Sequence, residues 1–140
     1  MTRIELVLSK AASVRRRLER LTRALSIGLD AFVKDEERVE AAAFNVFLAM
    51  QECIDLGSHV VADERWGAPE TLADVFTVLQ QHGVLTGSTT DAMRRGSRLR
   101  NLIAHAYGDI DPAKLFESAS AGVGQIGTFL AEVEAWLPKT

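Results

Sequence analysis

Steps of three and four between apolar residues predict a helix at the start of the chain. Such steps place side chains on one side of an α-helix, and here the arginines fall on its other faces. The apolar stripe is formed by Ile4, Val7, Ala11, Val14, Leu18, Leu21 and Leu25. Gly28 and Asp30 interrupt the pattern, so we predict that the first helix ends before them.

A second helix is predicted from about residue 35 to residue 61. Its centre, AAAFNVFLAM, is apolar on nearly all sides, which is typical of a helix contacted by several neighbours. The segment GAPET then breaks the pattern, because Gly67 ends what precedes it and Pro69 cannot continue a helix. Thr71 can cap a third helix over LADVFTVLQQH.

A fourth helix is predicted after a glycine-containing break, with Thr89 and Thr90 as capping candidates. Asp111 as N-cap and Pro112 as first helical residue begin a fifth. No segment alternates apolar and polar residues with period two, so we predict no strand. The expected fold class is all-α: one antiparallel helical bundle of about five helices, forming a single domain over residues 1–140.

The composition is that of a globular protein. Of 140 residues, 47% are hydrophobic and 25% charged, unlike the apolar-poor chains that remain disordered. The net charge of -3 gives no overall attraction to nucleic acid, but arginines cluster within 15–23 and 94–100 and can create local positive fields. Cys53, the only cysteine, excludes a disulfide or a cysteine-based metal site within one chain, and we expect it to be buried.

Charged residues interrupt every apolar run near the N-terminus, which argues against a signal peptide. Nowhere do about eighteen apolar residues follow one another, the length that a membrane-spanning helix needs. We therefore expect a soluble, cytoplasmic protein without a membrane partner.

A polar stripe lies on the predicted fourth helix. Arg94, Arg98, Asn101 and His105 are separated by four, three and four residues, so they share one face. The opposite side is apolar and is predicted to face the bundle. A solvent-facing helix surface of Arg, Asn and His, instead of a mixture of Lys and Glu, is suited to binding an anion. Asn101 lies one turn from His105, so its amide can orient the imidazole.

Arg100 also lies on this helix, about 140 degrees from His105, so spacing alone does not bring the two together. An arginine and a histidine can nevertheless cleave a phosphodiester without metal. The guanidinium grips the phosphate, while an imidazole moves a proton at the 2′-hydroxyl or the leaving oxygen. RNA is the implied substrate, because DNA lacks that internal nucleophile.

A structural interpretation remains open from the residues alone. The stripe would then only solvate the helix or pair with acidic residues such as Glu36, Glu37 or Glu52. Asp55 and His59, one turn apart on the second helix, are interpreted as a helix-stabilising pair instead of a metal site.

The segment RLRNLIAHAYGDID resembles the R-x-x-x-x-H-x-Y signature of HEPN-domain ribonucleases, in particular the HepT-like toxins. In that branch the arginine is commonly followed by a polar residue, here Asn101. The resemblance extends over roughly residues 36 to 137 and is weakest in the first thirty.

The resemblance implies a five-helix bundle that dimerises, with two motif helices meeting across a cleft to which each subunit gives an Arg and a His. Arg100 would bind the phosphate, His105 would act as acid or base, and Asn101 would orient His105. Arg94 and Arg98 would widen the phosphate groove. No metal or cofactor is expected.

The resemblance also implies a partner, a minimal nucleotidyltransferase antitoxin that binds the toxin and can transfer AMP to the motif tyrosine, which by position is Tyr107. The alternative function is a non-catalytic HEPN adaptor that presents nucleotides to a nucleotidyltransferase.

Overall fold

The computed structural model describes residues 3–106 and 109–139. These residues form six helices and no strand. The helices are α1 (Arg3–Leu25), α2 (Leu29–Phe32), α3 (Glu36–Asp63), α4 (Asp74–Gln81), α5 (Gly87–Ala106) and α6 (Pro112–Trp136). Five of them correspond to the five predicted helices. The additional α2 is a single turn that follows Gly28, whose φ of 86° is readily adopted by glycine.

The start of α6 is as predicted, and the start of α5 is not. The side chain of Asp111 accepts hydrogen bonds from the backbone N–H groups of Ala113 and Lys114 at 2.9 and 3.3 Å. For α5, Thr89 and Thr90 were predicted to cap the helix, but both lie inside it and are buried.

The N-terminus of α5 is capped partly from another helix. The hydroxyl of Thr86 accepts from the N–H of Thr89 at 3.2 Å. The carboxylate of Glu132, on α6, accepts from the N–H of Thr86 at 2.8 Å and from the hydroxyl of Thr89 at 2.6 Å. Thr86 therefore caps α5 in place of the predicted Thr89 and Thr90, and Glu132 of α6 binds Thr86 and Thr89 from across the bundle.

Contacts at the helix ends establish an antiparallel bundle. Near one end of α1, Arg3 forms an ion pair with Asp63 of α3 at 3.1 Å. Near the other end, Nη1 of Arg38 on α3 donates to the backbone oxygen of Arg23 at 3.0 Å. Helices α1 and α3 therefore run in opposite directions. The contact of Glu132 with the start of α5 gives the same relation for α5 and α6.

Helix α3 is the centre of the bundle and contacts α1, α2, α4, α5 and α6. Ala42, Val46, Ala49 and Met50 are buried, as expected for a segment that is apolar on nearly all sides. Phe44 departs most from this expectation, since 58% of its surface is exposed.

Cys53 is fully buried on α3, as predicted. Its burial raises the pKa of the thiol far above the ordinary value, and the negative charge of neighbouring Glu52 raises it further.

None of the helices within residues 3–106 and 109–139 combines the length and the apolar composition that crossing a membrane requires.

Candidate functional site

Helix α5 separates an apolar side from a polar side, as its sequence predicts. Ile103 is buried and Leu99 is half-buried, and both pack against residues of α1, α3 and α6. On the outer side, Arg98, Asn101 and His105 are exposed. His105 is thus open to solvent and free of the aliphatic core.

Arg100 is turned towards α3, where it is held on several sides. The side-chain oxygen of Gln51 accepts from its Nε at 3.1 Å and from its Nη2 at 2.6 Å. The centre of the Phe47 ring lies 4.8 Å from its Cζ, a cation–π contact. Its Nη1 donates to the side-chain oxygen of Asn101 at 3.0 Å. The guanidinium is therefore fixed before any ligand binds.

The Asn101 side chain is paired with Arg100, whereas we predicted a role in orienting His105. The long arginine side chain curls back over its neighbour in the sequence, and the Asn101 oxygen accepts from it. The structure therefore brings Arg100 and Asn101 together at the edge between α3 and α5. His105 lies one turn further along the exposed face.

Arg94 belongs to the polar stripe by its spacing, but its guanidinium binds residues on and just before α4. Its Nη1 donates to the backbone oxygen of Ala73 at 3.1 Å, to Asp74 at 3.1 Å and to the hydroxyl of Thr77 at 2.9 Å. The Arg94 guanidinium, followed by the hydroxyl of Thr71, holds the pKa of Asp74 below its ordinary value. Arg94 joins α5 to α4, because α4 lies beside the N-terminal half of α5.

Two residues of the site, Phe47 and Gln51, were missed by the sequence analysis. They lie one turn apart on α3, and Asp55, one turn further, accepts from Nε2 of Gln51 at 3.0 Å. Their spacing could have placed Phe47, Gln51 and Asp55 on one face of α3, the second helix predicted from the sequence. It could not have placed that face against Arg100, which is 49 residues from Gln51.

Asp55 and Glu52 contact residues other than the partners suggested for them from the sequence. Asp55 accepts from Gln51, although it was interpreted as the partner of His59. Glu52 lies near α1, with its Oε1 3.9 Å from Nε of Arg17. It is thus not the counter-ion of the α5 stripe.

The polar face of α5 does not line the groove that α5 forms with α6. That groove, about 460 Å³, lies on the other side of α5, towards α6, and its walls include Arg95, Leu99, Lys114 and Gly122. Across the described residues, no three His, Cys, Asp or Glu side chains are grouped so that they could hold a metal ion. Tyr107, the predicted modification site, lies outside the described residues.

The arrangement of the helices matches a fold known from solved structures. The chain is similar to a solved structure of a tri-AMPylated HEPN toxin from Shewanella oneidensis in complex with an MNT antitoxin. The TM-score is 0.86 and the identity 22%, and the match covers 96% of this chain and 99% of that chain. The helical bundle therefore has the fold of that toxin, which confirms the predicted fold class.

Sequence comparison gives the family. The family described as Ribonuclease HepT-like matches residues 14–133. An mRNA nuclease HepT from Shewanella oneidensis is 24% identical over 107 residues, covering 76% of this chain and 80% of that protein. A tRNA nuclease HepT from Aphanizomenon flos-aquae is 27% identical over 139 residues, covering 98% and 95%. This chain belongs to the HepT-like ribonuclease family, as the sequence motif predicted.

Proposed function

We propose that this protein is the ribonuclease toxin of a toxin–antitoxin pair and that it cleaves RNA without a metal ion. The observation that carries the proposal is the fixed guanidinium of Arg100 on the same helix as the exposed imidazole of His105. Membership of the family, and the nuclease activity named for its relatives, support it.

Arg100 is the phosphate ligand in this proposal. A guanidinium has five N–H groups, and the hydrogen bonds to Gln51 and Asn101 use three of them. One N–H therefore remains on each terminal nitrogen, and this pair can bind two oxygens of a phosphate and stabilise the charge that develops there. Exposed Arg98 extends the positive surface along the RNA backbone.

His105 moves the protons. As a base it takes the proton of a 2′-hydroxyl, whose oxygen then bonds to the adjacent phosphorus. As an acid it gives a proton to the 5′-oxygen, whose bond to phosphorus breaks. The products are a 2′,3′-cyclic phosphate and a free 5′-hydroxyl. Two imidazoles, one from each of two subunits, can perform the two transfers.

We propose that the active form is a homodimer joined at this face. Arg100 and His105 lie about 140 degrees apart around the helix and about 7.5 Å apart along its axis, and Arg100 turns towards α3 while His105 faces solvent. Leu102, within the motif on α5, is 55% exposed, and Phe44, one turn before Phe47 on α3, is 58% exposed. A second copy would cover these apolar side chains and complete a cleft with two arginines and two histidines.

The proposed partner is a minimal nucleotidyltransferase antitoxin, because the structurally similar HEPN toxin is AMPylated and bound to such a protein. Transfer of AMP from ATP to the hydroxyl of Tyr107, with release of pyrophosphate, would place a bulky anion beside the motif and neutralise its arginines. We further propose that residues 1–140 form one HEPN-like domain and that the protein acts on RNA in the cytoplasm.

Cleavage of RNA in EDTA tests the activity. The purified protein should cleave total RNA, and Arg100→Ala and His105→Ala should each lower the rate by about 100-fold or more. Arg20→Ala, exposed on α1, and His82→Ala, at the end of α4 where the imidazole stacks on Trp66, are the controls and should remain active. RNA that is bound but never cleaved would instead support a non-catalytic adaptor. Cleavage only after a divalent ion is added would refute the metal-independent mechanism.

Light scattering on a sizing column tests the dimer. The wild-type protein should have twice the mass of one chain, and Leu102→Glu should shift it towards the monomer. Leu8→Glu is the control, because Leu8 is similarly exposed, at 46%, on α1. A monomeric wild-type protein that still cleaves RNA would exclude the shared cleft.

A further inference from the structure

We propose that Gln51, itself oriented by Asp55, is the residue that positions Arg100 for binding phosphate. The expected effect on RNA cleavage rests on the proposed ribonuclease function. The positioning of Arg100 itself rests only on the contacts between α3 and α5. Gln51 is half-buried and accepts from both Nε and Nη2 of Arg100, so it grips one whole edge of the guanidinium.

Only one orientation of the Gln51 amide can do this. A guanidinium has donors and no acceptor, so it must meet the amide oxygen and not the amide nitrogen. An amide free to turn by half a rotation would face Arg100 with its NH2 group for part of the time. The hydrogen bonds to the guanidinium would then be lost.

Asp55 prevents this rotation. Its carboxylate accepts from Nε2 of Gln51 at 3.0 Å, and an ionised carboxylate only accepts. The NH2 group of Gln51 is therefore held towards Asp55, and its oxygen towards Arg100. The two residues are four positions apart on the same helix, so the backbone keeps them one turn from each other.

Phe47 completes the arrangement from the turn before Gln51. Its ring covers a face of the guanidinium while Gln51 holds an edge. Three successive turns of α3 thus supply a flat surface, an acceptor and a group that orients the acceptor. The two N–H groups of Arg100 that remain unused lie on its terminal nitrogens.

The neutral charge of Gln51 matters as much as its position. A carboxylate at the same place would also accept from Nε and Nη2, but it would neutralise the arginine and weaken its attraction for phosphate. The amide holds Arg100 while leaving its positive charge available to the ligand. Substitutions of Gln51 can therefore test the positioning of Arg100 and the effect of its positive charge separately.

The steady-state kinetics of cleavage of a defined RNA distinguish the positioning of Arg100 from the effect of its charge. Gln51→Leu should lower kcat/KM by about 10- to 100-fold, mainly through kcat, because a mobile Arg100 no longer meets the phosphate correctly. Gln51→Glu should retain more of kcat and raise KM. Asp55→Asn should give a smaller loss, because an asparagine amide can also donate and so permits both orientations of Gln51. Gln81→Leu on α4 and Asp30→Asn on α2, both exposed and outside α3 and α5, are the controls.

The second measurement does not depend on activity. In a ¹H–¹⁵N NMR spectrum the Nε–H of Arg100, assigned by its loss in Arg100→Ala, should be a distinct, slowly exchanging signal in the wild-type protein. It should move to the crowded region of free arginines in Gln51→Leu and persist in Gln51→Glu. If the wild-type protein cleaves no RNA, the ribonuclease proposal fails. The NMR spectrum still shows whether Gln51 positions Arg100.

Two results would overturn the positioning role. One is an Arg100 signal that is the same in Gln51→Leu and the wild-type protein. The other is a Gln51→Leu enzyme with unchanged kcat and KM. Gln51→Met, which keeps the length of the side chain, replaces Gln51→Leu if the latter does not fold.

Discussion

Arg94 and Asp74 join α5 to α4 through a hydrogen bond of 3.1 Å between Nη1 and Oδ1, and the same nitrogen also donates to Ala73 and Thr77. Arg98, one turn further along α5, is exposed. Two arginines of one sequence stripe therefore lie in different surroundings. Their substitutions should have different consequences.

Arg94→Ala should mainly lower stability. Loss of its bonds to three acceptors on and before α4 should reduce the free energy of unfolding by about 1–2 kcal/mol. Urea denaturation followed by circular dichroism measures this change. A variant as stable as the wild-type protein would contradict the structural role.

Arg98→Ala should mainly weaken RNA binding. Its side chain is exposed, so stability should change by less than about 0.5 kcal/mol. The slope of log affinity against log salt should become shallower by about 0.7, as expected when one phosphate contact with single-stranded RNA is lost. Fluorescence anisotropy in the His105→Ala background, where RNA is not cleaved, measures the slope, with Arg20→Ala as the control. An unchanged slope would remove Arg98 from the RNA surface.

The contact between Arg94 and Asp74 should make stability depend on pH. The folded-state pKa of Asp74 lies below its ordinary value of 3.8, first because Arg94 donates to the carboxylate. The carboxylate therefore stabilises the fold above the ordinary pKa, and the contribution is lost as the pH falls through the lower folded-state pKa. The stability difference between the wild-type protein and Asp74→Asn should be constant above about pH 5 and shrink below pH 4. Urea denaturation at several pH values tests this, and a difference that does not change with pH would contradict it.

Gly57 marks a close approach of α3 and α4. A Cβ at this position would lie 2.6 Å from Cγ1 of Val75, and a β-branched side chain has little freedom to move away. Gly57→Ala should therefore lower the free energy of unfolding by about 1–3 kcal/mol.

Gly124→Ala is the matched control on α6, where a Cβ would meet nothing within 4 Å. This change should raise stability by up to about 1 kcal/mol, the difference in helix propensity. Thermal or urea denaturation of both variants compares them directly. Equal effects of the two substitutions would show that the packing at Gly57 is not tight.

Cys53 should be unreactive in the folded protein. Burial, and then the charge of Glu52, raise the pKa of the thiol and disfavour the thiolate that alkylating reagents attack. Labelling by iodoacetamide at pH 8 should be slower than in the urea-unfolded chain by about 100-fold or more, because the thiol reacts only when the structure opens. Mass spectrometry follows the reaction, and rapid labelling of the folded chain would contradict the burial of Cys53.

The helices were predictable because their signals are local. The apolar stripe of α1 and the Asp111–Pro112 start of α6 depend on residues within a few positions of one another. The cap of α5 was predicted at Thr89 or Thr90, whereas the hydroxyl of Thr86, three residues earlier, accepts from a first-turn N–H. Glu132, which binds Thr86 and Thr89 from α6, lies more than 40 positions away, and no local pattern could have indicated it.

The sequence by itself determined that this chain is a helical bundle and that one helix carries Arg100, Asn101 and His105, because helical spacing and residue chemistry are properties of short segments. Only the tertiary structure decided how the side chains are used. Arg94 meets Thr77 across 17 residues and Arg100 meets Gln51 across 49. Such partners become neighbours only when the burial of apolar faces packs one helix against another, and the periodicity of a single helix does not specify which helix that will be.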